Sequence, residues 1–295
     1  MGIKLCAFAD EAADSLDGQI AALSRNGIKL IELRNVDGVN VADMTFEHAA
    51  AIKKKLNAAN ISVWSIGSPI GKSDIVTTSK EIVTSSKDYE LGRLNRVLKL
   101  CEIFECGNIR IFSFFTCEHQ KHRTEIIERL TALCACAKKS GVKLLHENER
   151  GVYGDTTDRV LDLLDNVSGL GSIFDPANFV LAGENAGTAL DKLCGVTDYF
   201  HIKDAVFSTG QIVPAGEGDG MIPEIIKRVS NTVFTLEPHL KVFGGLSKID
   251  KHELKSKYNF ATQDEAFDFA VAALKKLLAA PGCPGKRDGE EPPRA

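Results

Sequence analysis

The chain has 295 residues, a formal net charge of -4 at pH 7 and a sequence pI near 6.0. With 44% hydrophobic and 26% charged residues, its composition is that of a globular protein with a large core and excludes a disordered or fibrous one. The charge balance provides no basic field for a polyanion, which argues against nucleic acid as a partner.

The amino-terminal residues and the cysteines indicate the environment of the protein. Residues 1–10 contain one lysine and no long apolar stretch, and a membrane-spanning run of about 18 apolar residues occurs nowhere in the chain. We therefore expect no signal peptide, no contact with membranes and a cytoplasmic location. The 8 cysteines form no CxxC pair and no zinc-like spacing, so we expect reduced thiols.

Short apolar or β-branched runs alternate with amphipathic stretches along the chain, which is typical of βαβ units around a parallel sheet. The stretch before the second run illustrates the helices, because Ser15 or Asp17 can cap its start and Asn26-Gly27 can end it. A chain of this length with interleaved helices predicts a single (β/α)8 TIM barrel. The predicted strands start near Ile3, Lys29, Ile61, Asn108, Val142, Gly171, Tyr199 and Thr232.

The composition changes after the last predicted helix, which runs from about Gln263 to Leu278. From Pro281 onward the sequence is rich in proline, glycine and charged residues, a composition that cannot form a packed core. We therefore expect the barrel to occupy residues 1–280 and a disordered tail to occupy residues 281–295.

Four polar residues end or directly follow the apolar runs of predicted strands five to eight: Glu147, Asp175, His201 and Glu237. The active site of a (β/α)8 barrel lies at the carboxyl ends of the strands, so these side chains are expected to form one arc at the barrel mouth. Burying three carboxylates together is costly unless protons or a cation neutralise them. The pattern therefore predicts one divalent metal ion, with Mn²⁺, Mg²⁺ or Co²⁺ preferred by oxygen-rich ligation and Zn²⁺ left open.

Around these positions the chain resembles the xylose isomerase-like TIM barrel superfamily, which contains sugar isomerases and epimerases and also AP endonucleases. The resemblance covers about residues 1–278. It is carried by Ile31-Glu32-Leu33-Arg34, Gly67-Ser68-Pro69-Ile70-Gly71-Lys72, His146-Glu147-Asn148-Glu149, Phe174-Asp175-Pro176-Ala177-Asn178, His201-Ile202-Lys203-Asp204, Gly216-Glu217-Gly218-Asp219-Gly220 and Leu236-Glu237-Pro238.

The resemblance implies a mononuclear metal held by Glu147, Asp175, His201 and Glu237. It also implies that Glu147 and Glu237 face each other across the substrate as catalytic acid and base. It implies a metal-dependent isomerase or epimerase that moves a proton through an enediolate. The substrate would be a small carbohydrate, either a ketose or an inositol-derived ketone. Substrate contacts are expected from Lys72, Glu149, Asn178 and Lys203.

Two other features bear on the substrate. The two acidic residues of the glycine-rich segment 216–220 would repel phosphate, which favours an unphosphorylated substrate. Lys241 and Phe243-Gly244-Gly245-Leu246, after the eighth predicted strand, leave a phosphorylated substrate as the alternative. Glu32 and Arg34 end the second predicted strand, and we interpret them first as an ion pair that closes the barrel mouth, with substrate contact as the alternative.

Several functions stay open at this point. A metal-dependent dehydratase or a 3-oxo-glycoside lyase would share the first proton abstraction, and a barrel without turnover would serve as a sugar-binding subunit. An AP endonuclease is the least favoured function, because Asn178 replaces a histidine that related nucleases need and no histidine follows strands three and four. A homo-oligomer is also left open.

Overall fold

The computed structural model describes residues 2–75, 80–243 and 258–280. The predicted tail, 281–295, lies outside these residues, so the domain boundary at residue 280 stays a prediction. In the part of the chain that is described, no helix combines the length and the apolar character that a membrane span requires.

Eight parallel strands form a closed barrel, as predicted, and each begins within one residue of its expected start. Neighbours along the chain are neighbours in the barrel, and β8 closes on β1 with Leu5 beside Phe234. The strands are β1 (Lys4–Ala7), β2 (Leu30–Leu33), β3 (Ser62–Gly67), β4 (Asn108–Ile111), β5 (Lys143–Glu147), β6 (Gly171–Phe174), β7 (Tyr199–Ile202) and β8 (Val233–Leu236).

Helices surround the barrel, and the first of them begins and ends with the predicted signals. Ser15 caps α1 by accepting a hydrogen bond from the backbone of Gly18, and Gly27 follows the helix with a φ of 66°. The helices are α1 (Leu16–Arg25), α2 (Phe46–Ala58), α3 (Lys80–Phe104), α4 (His119–Lys139), α5 (Thr157–Asn166), α6 (Pro176–Leu181), α7 (Ala186–Leu193), α8 (Ile222–Arg228) and α9 (Gln263–Leu278).

Two short antiparallel hairpins lie outside the barrel. One pairs Asn35–Val36 with Val39–Asn40, directly after β2. The other pairs Asp204–Val206 with Gln211–Val213, directly after β7. Both hairpins follow the carboxyl ends of barrel strands, which is the end where the polar residues lie.

The barrel strands change character along their length. A small cluster of buried strand residues comprises Cys6, Leu145, Ile173, Tyr199 and Val233. Because side chains alternate between the two faces of a strand, residues two positions further on share the same face. These positions include Glu147, Asp175 and His201, so the apolar layer of the barrel is followed by a buried polar one.

Candidate metal centre

The four predicted ligands, Glu147, Asp175, His201 and Glu237, converge in one buried cluster at the carboxyl end of the barrel. One donor atom from each of them can be chosen so that all four atoms lie within 4.8 Å of one another. His201 Nδ1 lies 3.0 Å from Glu147 Oε1 and 3.2 Å from Glu237 Oε2. The two glutamates therefore approach the same ring nitrogen from β5 and from the residue after β8.

Asp175 is placed by local structure as well as by its strand. It is the N-cap of α6, where its Oδ1 accepts a hydrogen bond of 3.0 Å from the backbone of Asn178. Pro176 fits the first turn of this helix because its missing N–H needs no partner there. The cap engages one carboxylate oxygen and leaves Oδ2 free of the helix.

Each of the three carboxylates is also paired with a buried cation. Arg110 Nη1 lies 3.1 Å from Glu147 Oε2, and Arg34 Nη1 lies 2.6 Å from Glu237 Oε1. Lys203 Nζ lies 2.9 Å from Asp175 Oδ2, without the angles of a good hydrogen bond. These cations fix the carboxylates but do not complete their coordination.

Two buried oxygens in the cluster lack a well-directed donor: among the described residues, none hydrogen-bonds to Asp175 Oδ2 or Glu237 Oε2. Unpartnered buried carboxylate oxygens are costly and rare in native proteins. Burial, together with the charges of Glu147 and Glu237, raises the pKa of Asp175 to about 6 despite Lys203. The residues present thus fit a divalent cation, which would supply the missing partner and relieve the repulsion.

The pKa values of His201 and Glu237 are shifted in opposite directions from their ordinary values. Burial alone would lower the pKa of His201, but the carboxylates of Glu147 and Glu32 raise it well above its ordinary value. Burial alone would raise the pKa of Glu237, but Lys203, His201 and His239 hold it well below its ordinary value. Against the opposing effect of burial, the pKa of Glu147 is lowered to about 2, chiefly by His201. Glu147 and Glu237 are therefore carboxylates at neutral pH, as metal ligands and bases must be.

A second group of potential ligands, Glu11, Glu237 and His239, adjoins the first. Arg34 lies within it, 2.6 Å from Glu237 Oε1 and 3.1 Å from Glu11 Oε1. The guanidinium already supplies the positive charge that these carboxylates need. The arrangement therefore fits one metal ion, with an arginine in place of a second.

The prediction of an ion pair between Glu32 and Arg34 is wrong. Arg34 instead makes two hydrogen bonds to Asp10, of 2.9 and 3.0 Å, and reaches Glu237. Glu32 lies on β2 and Arg34 directly follows it, but the two side chains have different partners, and Glu32 hydrogen-bonds to Tyr199 and His201. The amino-terminal segment Ala9–Glu11, which supplies Asp10, gave no sign of this contact in the sequence.

The predicted substrate residues lie close to the cluster, partly paired with one another. Lys72 Nζ is 2.6 Å from Glu149 Oε2 and 4.6 Å from the centre of the Phe112 ring. Burial alone would lower the pKa of Lys203, but the charge of Asp175 and, to a smaller extent, that of Glu149 raise it well above its ordinary value. Substrate contact by these residues stays a prediction.

Asn178 has a different environment from these charged residues. Its Nδ2 donates to the backbone oxygen of Asn148 at 2.9 Å and to Glu147 Oε1 at 3.4 Å. The side chain is 2% exposed and helps to position the predicted ligand Glu147. Contact between Asn178 and a substrate also stays a prediction.

Sequence reasoning missed Arg110, Glu11 and His239. Arg110 had a signal, because it is the one charged residue in the apolar run of β4 and strand alternation places it with the interior residues. Glu11 and His239 had none, since their contact joins positions 228 residues apart, with the backbone of His239 donating to Glu11 Oε2.

The backbone of the glycine-rich segment 216–220 binds the carboxylate of Asp204, an anion of the protein itself. Backbone N–H groups of Gly216, Gly218 and Gly220 donate to the carboxylate of Asp204 at 2.8, 3.1 and 2.9 Å. A Cβ at Gly218 would collide with Asp204 Oδ1 and with the backbone oxygen of Ala205. The N–H groups that could cradle a phosphate are therefore already used.

Comparison with known proteins identifies the family of this chain. A family profile described as xylose isomerase-like TIM barrel matches residues 20–242. The chain belongs to this family, whose members are mostly metal-dependent enzymes and include sugar epimerases and dehydratases. A sequence comparison with curated proteins gave no significant match.

Solved structures share the fold at low sequence identity. The probable 3-DHS dehydratase AsbF from Bacillus anthracis is 19% identical, with a TM-score of 0.67 over 94% of this chain and 98% of that one. D-psicose 3-epimerase from Clostridium cellulolyticum H10, solved with D-tagatose, is 15% identical, with a TM-score of 0.71 over 93% and 98%. The IOLI protein, solved with a zinc atom, is 15% identical, with a TM-score of 0.71 over 94% and 98%.

Proposed function

We propose that the protein is a divalent-metal-dependent isomerase or epimerase that moves a proton on a small ketose or an inositol-derived ketone through an enediolate. The observation that carries this proposal is the convergence of two buried carboxylates, Glu147 and Glu237, on Nδ1 of His201. A proton removed from one carbon and returned from another direction needs two such groups.

The metal would be held by Glu147, Asp175, His201 and Glu237. Three carboxylates and one imidazole favour Mn²⁺, Mg²⁺ or Co²⁺, and Zn²⁺ is also compatible with these ligands. When bound, the ion stabilises negative charge that develops on substrate oxygens during proton abstraction. The likeness to a structure that was solved with a zinc atom supports a metal-binding barrel but does not select the identity of the ion.

The proton transfers are assigned to Glu147 and Glu237. Arg110 holds one oxygen of Glu147 and Arg34 holds one oxygen of Glu237, and the second oxygen of each glutamate faces Nδ1 of His201. Lys72, Glu149 and Lys203 offer charged partners to substrate hydroxyl and carbonyl groups, and Asn178 keeps Glu147 in place. The internal anion in the glycine-rich segment supports an unphosphorylated substrate.

The test is solvent-deuterium incorporation into a panel of ketoses and inososes, measured with the Mn²⁺-loaded protein. We expect exchange at one carbon, and a loss of about 10²- to 10⁴-fold in Glu147→Gln and in Glu237→Gln, the range for a positioned acid or base. Glu118→Gln, a change of an exposed glutamate at the start of α4, is the matched control and should keep the native rate. Equal exchange in all four proteins would contradict the assignment.

The second candidate is a dehydratase or a 3-oxo-glycoside lyase. It is favoured by Lys203, whose buried ammonium lies 3.8 Å from Glu237 Oε2. In an elimination, a protonated lysine beside the base can assist the departing oxygen as a general acid. Product mass separates the two reactions, because an isomer keeps the mass of the substrate and an elimination product does not.

A further inference from the structure

Glu32 is a fully buried carboxylate in the interior of the barrel, outside the predicted ligand set. Its side chain is 0% exposed. Tyr199 donates its hydroxyl to Glu32 Oε1 at 3.0 Å, and His201 Nε2 lies 3.3 Å from Glu32 Oε2. Within the described residues, Glu32 forms no ion pair with a lysine or an arginine.

This placement is costly without a specific partner. The interior of a (β/α)8 barrel is normally filled by branched aliphatic side chains, as with Leu145 and Ile173 here. An ionised carboxylate removed from water without a paired cation loses several kcal/mol of solvation. The free energy that Glu32 loses must be recovered by what it contacts, and one of its two partners is a predicted metal ligand.

His201 lies between Glu32 and the carboxylate cluster. Its Nε2 faces Glu32, whereas its Nδ1 lies 3.0 Å from Glu147 Oε1 and 3.2 Å from Glu237 Oε2. An imidazole whose outer nitrogen hydrogen-bonds to a carboxylate is fixed in ring orientation and tautomer, and its other nitrogen becomes the better ligand. Tyr199 in turn fixes Glu32, so the chain of contacts runs from Tyr199 through Glu32 to His201.

We propose that Glu32 is a positioning residue of the metal centre, which keeps the proton of His201 on Nε2 and so presents Nδ1 to the cation. The inference rests on the proposed metal centre and not on any particular substrate. It gives Glu32 a role through His201, while the four ligands touch the ion directly.

The first test measures the affinity of the full-length protein for Mn²⁺, with free Mn²⁺ quantified by electron paramagnetic resonance. Loss of a hydrogen-bonding partner of a ligating histidine weakens metal affinity by about 10- to 100-fold. We expect the lower end for Glu32→Gln, which keeps an acceptor oxygen, and the upper end for Glu32→Ala. Glu90→Gln, which also neutralises a buried glutamate, is the matched control and should keep the native affinity.

The second test reads the histidine itself. In ¹⁵N-histidine-labelled protein loaded with Zn²⁺, His201 should show a protonated Nε2 in slow exchange with water. This signal should be lost in Glu32→Ala and kept in Glu90→Gln, whatever their relative thermal stabilities. A purely structural role for Glu32 would change the melting temperature but not the position of this proton.

The outcomes separate this inference from the proposed reaction. If Glu32→Gln and Glu32→Ala bind Mn²⁺ as tightly as the native protein, the positioning role is overturned while the metal centre stands. If the native protein binds no Mn²⁺, the metal centre and this inference fall together. If the affinities change as expected but no ketone exchanges deuterium, the inference is supported and the proposed isomerase activity is overturned.

Discussion

The buried carboxylate of Asp204 and the buried cluster of Glu147, Asp175 and Glu237 lie at the carboxyl ends of neighbouring barrel strands, and they are satisfied in different ways. Asp204 accepts four backbone hydrogen bonds, from Ala205, Gly216, Gly218 and Gly220, at 2.8 to 3.1 Å. In the cluster of Glu147, Asp175 and Glu237, by contrast, two oxygens lack a well-directed donor among the described residues. We call the Asp204 carboxylate, which the protein itself satisfies, the closed group, and we call the cluster, whose residues fit a cation, the open group.

The difference shows how burial and partner together distinguish structural from functional acids. Both groups are almost fully buried, so exposure alone does not separate them. Burial raises the pKa of Asp204, but its four backbone N–H donors oppose this rise and offset part of the desolvation cost. Carboxylates that crowd one another without such donors keep an unfavourable energy that a bound ligand can remove.

The largest expected effect on stability comes from breaking the closed group. Asp204→Asn replaces one acceptor oxygen by an NH₂ group and leaves buried N–H groups of the loop without a partner, at about 1–3 kcal/mol each. We expect the free energy of unfolding to fall by about 3 kcal/mol in chemical denaturation, since more than one donor is affected.

Asp219→Asn is the control in the same loop, because Asp219 accepts one exposed hydrogen bond from the backbone of Phe207. Its effect should stay below about 1 kcal/mol, as for other surface changes. Equal stability losses in both variants would contradict the structural role assigned to Asp204.

The next effect concerns the open group and depends on metal. A ligand that binds only the folded protein adds about 2.7 kcal/mol of stability at a concentration of 100 times its Kd. We expect Mn²⁺ to raise the melting temperature of the native protein and chelation with EDTA to reverse the rise.

Asp175→Asn should abolish this response to metal while keeping the helix cap, because asparagine is also a good N-cap residue. Asp204→Asn, in contrast, should keep the metal response despite its lower stability. An unchanged Mn²⁺ response in Asp175→Asn would remove Asp175 from the metal centre.

The smallest effect concerns Glu90, a buried carboxylate with few partners. It accepts hydrogen bonds from the backbone of Gly71 at 3.3 Å and from Ser73 Oγ at 3.2 Å. Burial raises its pKa above the ordinary value of 4.5. Because the folded state favours the protonated form, this contribution to stability is present at pH below 4.5 and is lost as pH rises through the raised pKa.

Glu90→Gln is neutral at every pH and removes this dependence. We therefore expect the stability of the native protein to fall relative to that of the variant as pH rises from 4 towards 7, by less than the two effects above. Denaturation at a series of pH values measures the difference, and parallel curves for the two proteins would contradict it.

The fold and the ligand set could both be predicted from local sequence. Alternating strand and helix patterns are set by side-chain periodicity over about ten residues, so all eight strands were located closely. Glu147, Asp175, His201 and Glu237 could be grouped because consecutive strands of a barrel are neighbours. The assignment needed only the order of the strands and the position of each polar residue at a strand end.

The pairing of those ligands could not be predicted in the same way. Arg34 contacts Glu237 across 203 positions, and Glu32 contacts His201 across 169. A charge on a strand has several candidate partners at the mouth of a barrel, and its choice depends on distances of a few ångströms that the sequence does not contain. The prediction of a Glu32–Arg34 ion pair was wrong for this reason.

Sequence alone thus determined the barrel, the grouping of four candidate metal ligands and the acidic character of the site, because each depends on periodicity and strand order. Tertiary structure alone decided which cation holds which carboxylate, that Asp204 fills the glycine-rich loop, and that Glu32 lies behind His201. Those choices are made by packing between segments far apart in the chain, where burial makes an unpartnered charge costly and so selects one arrangement.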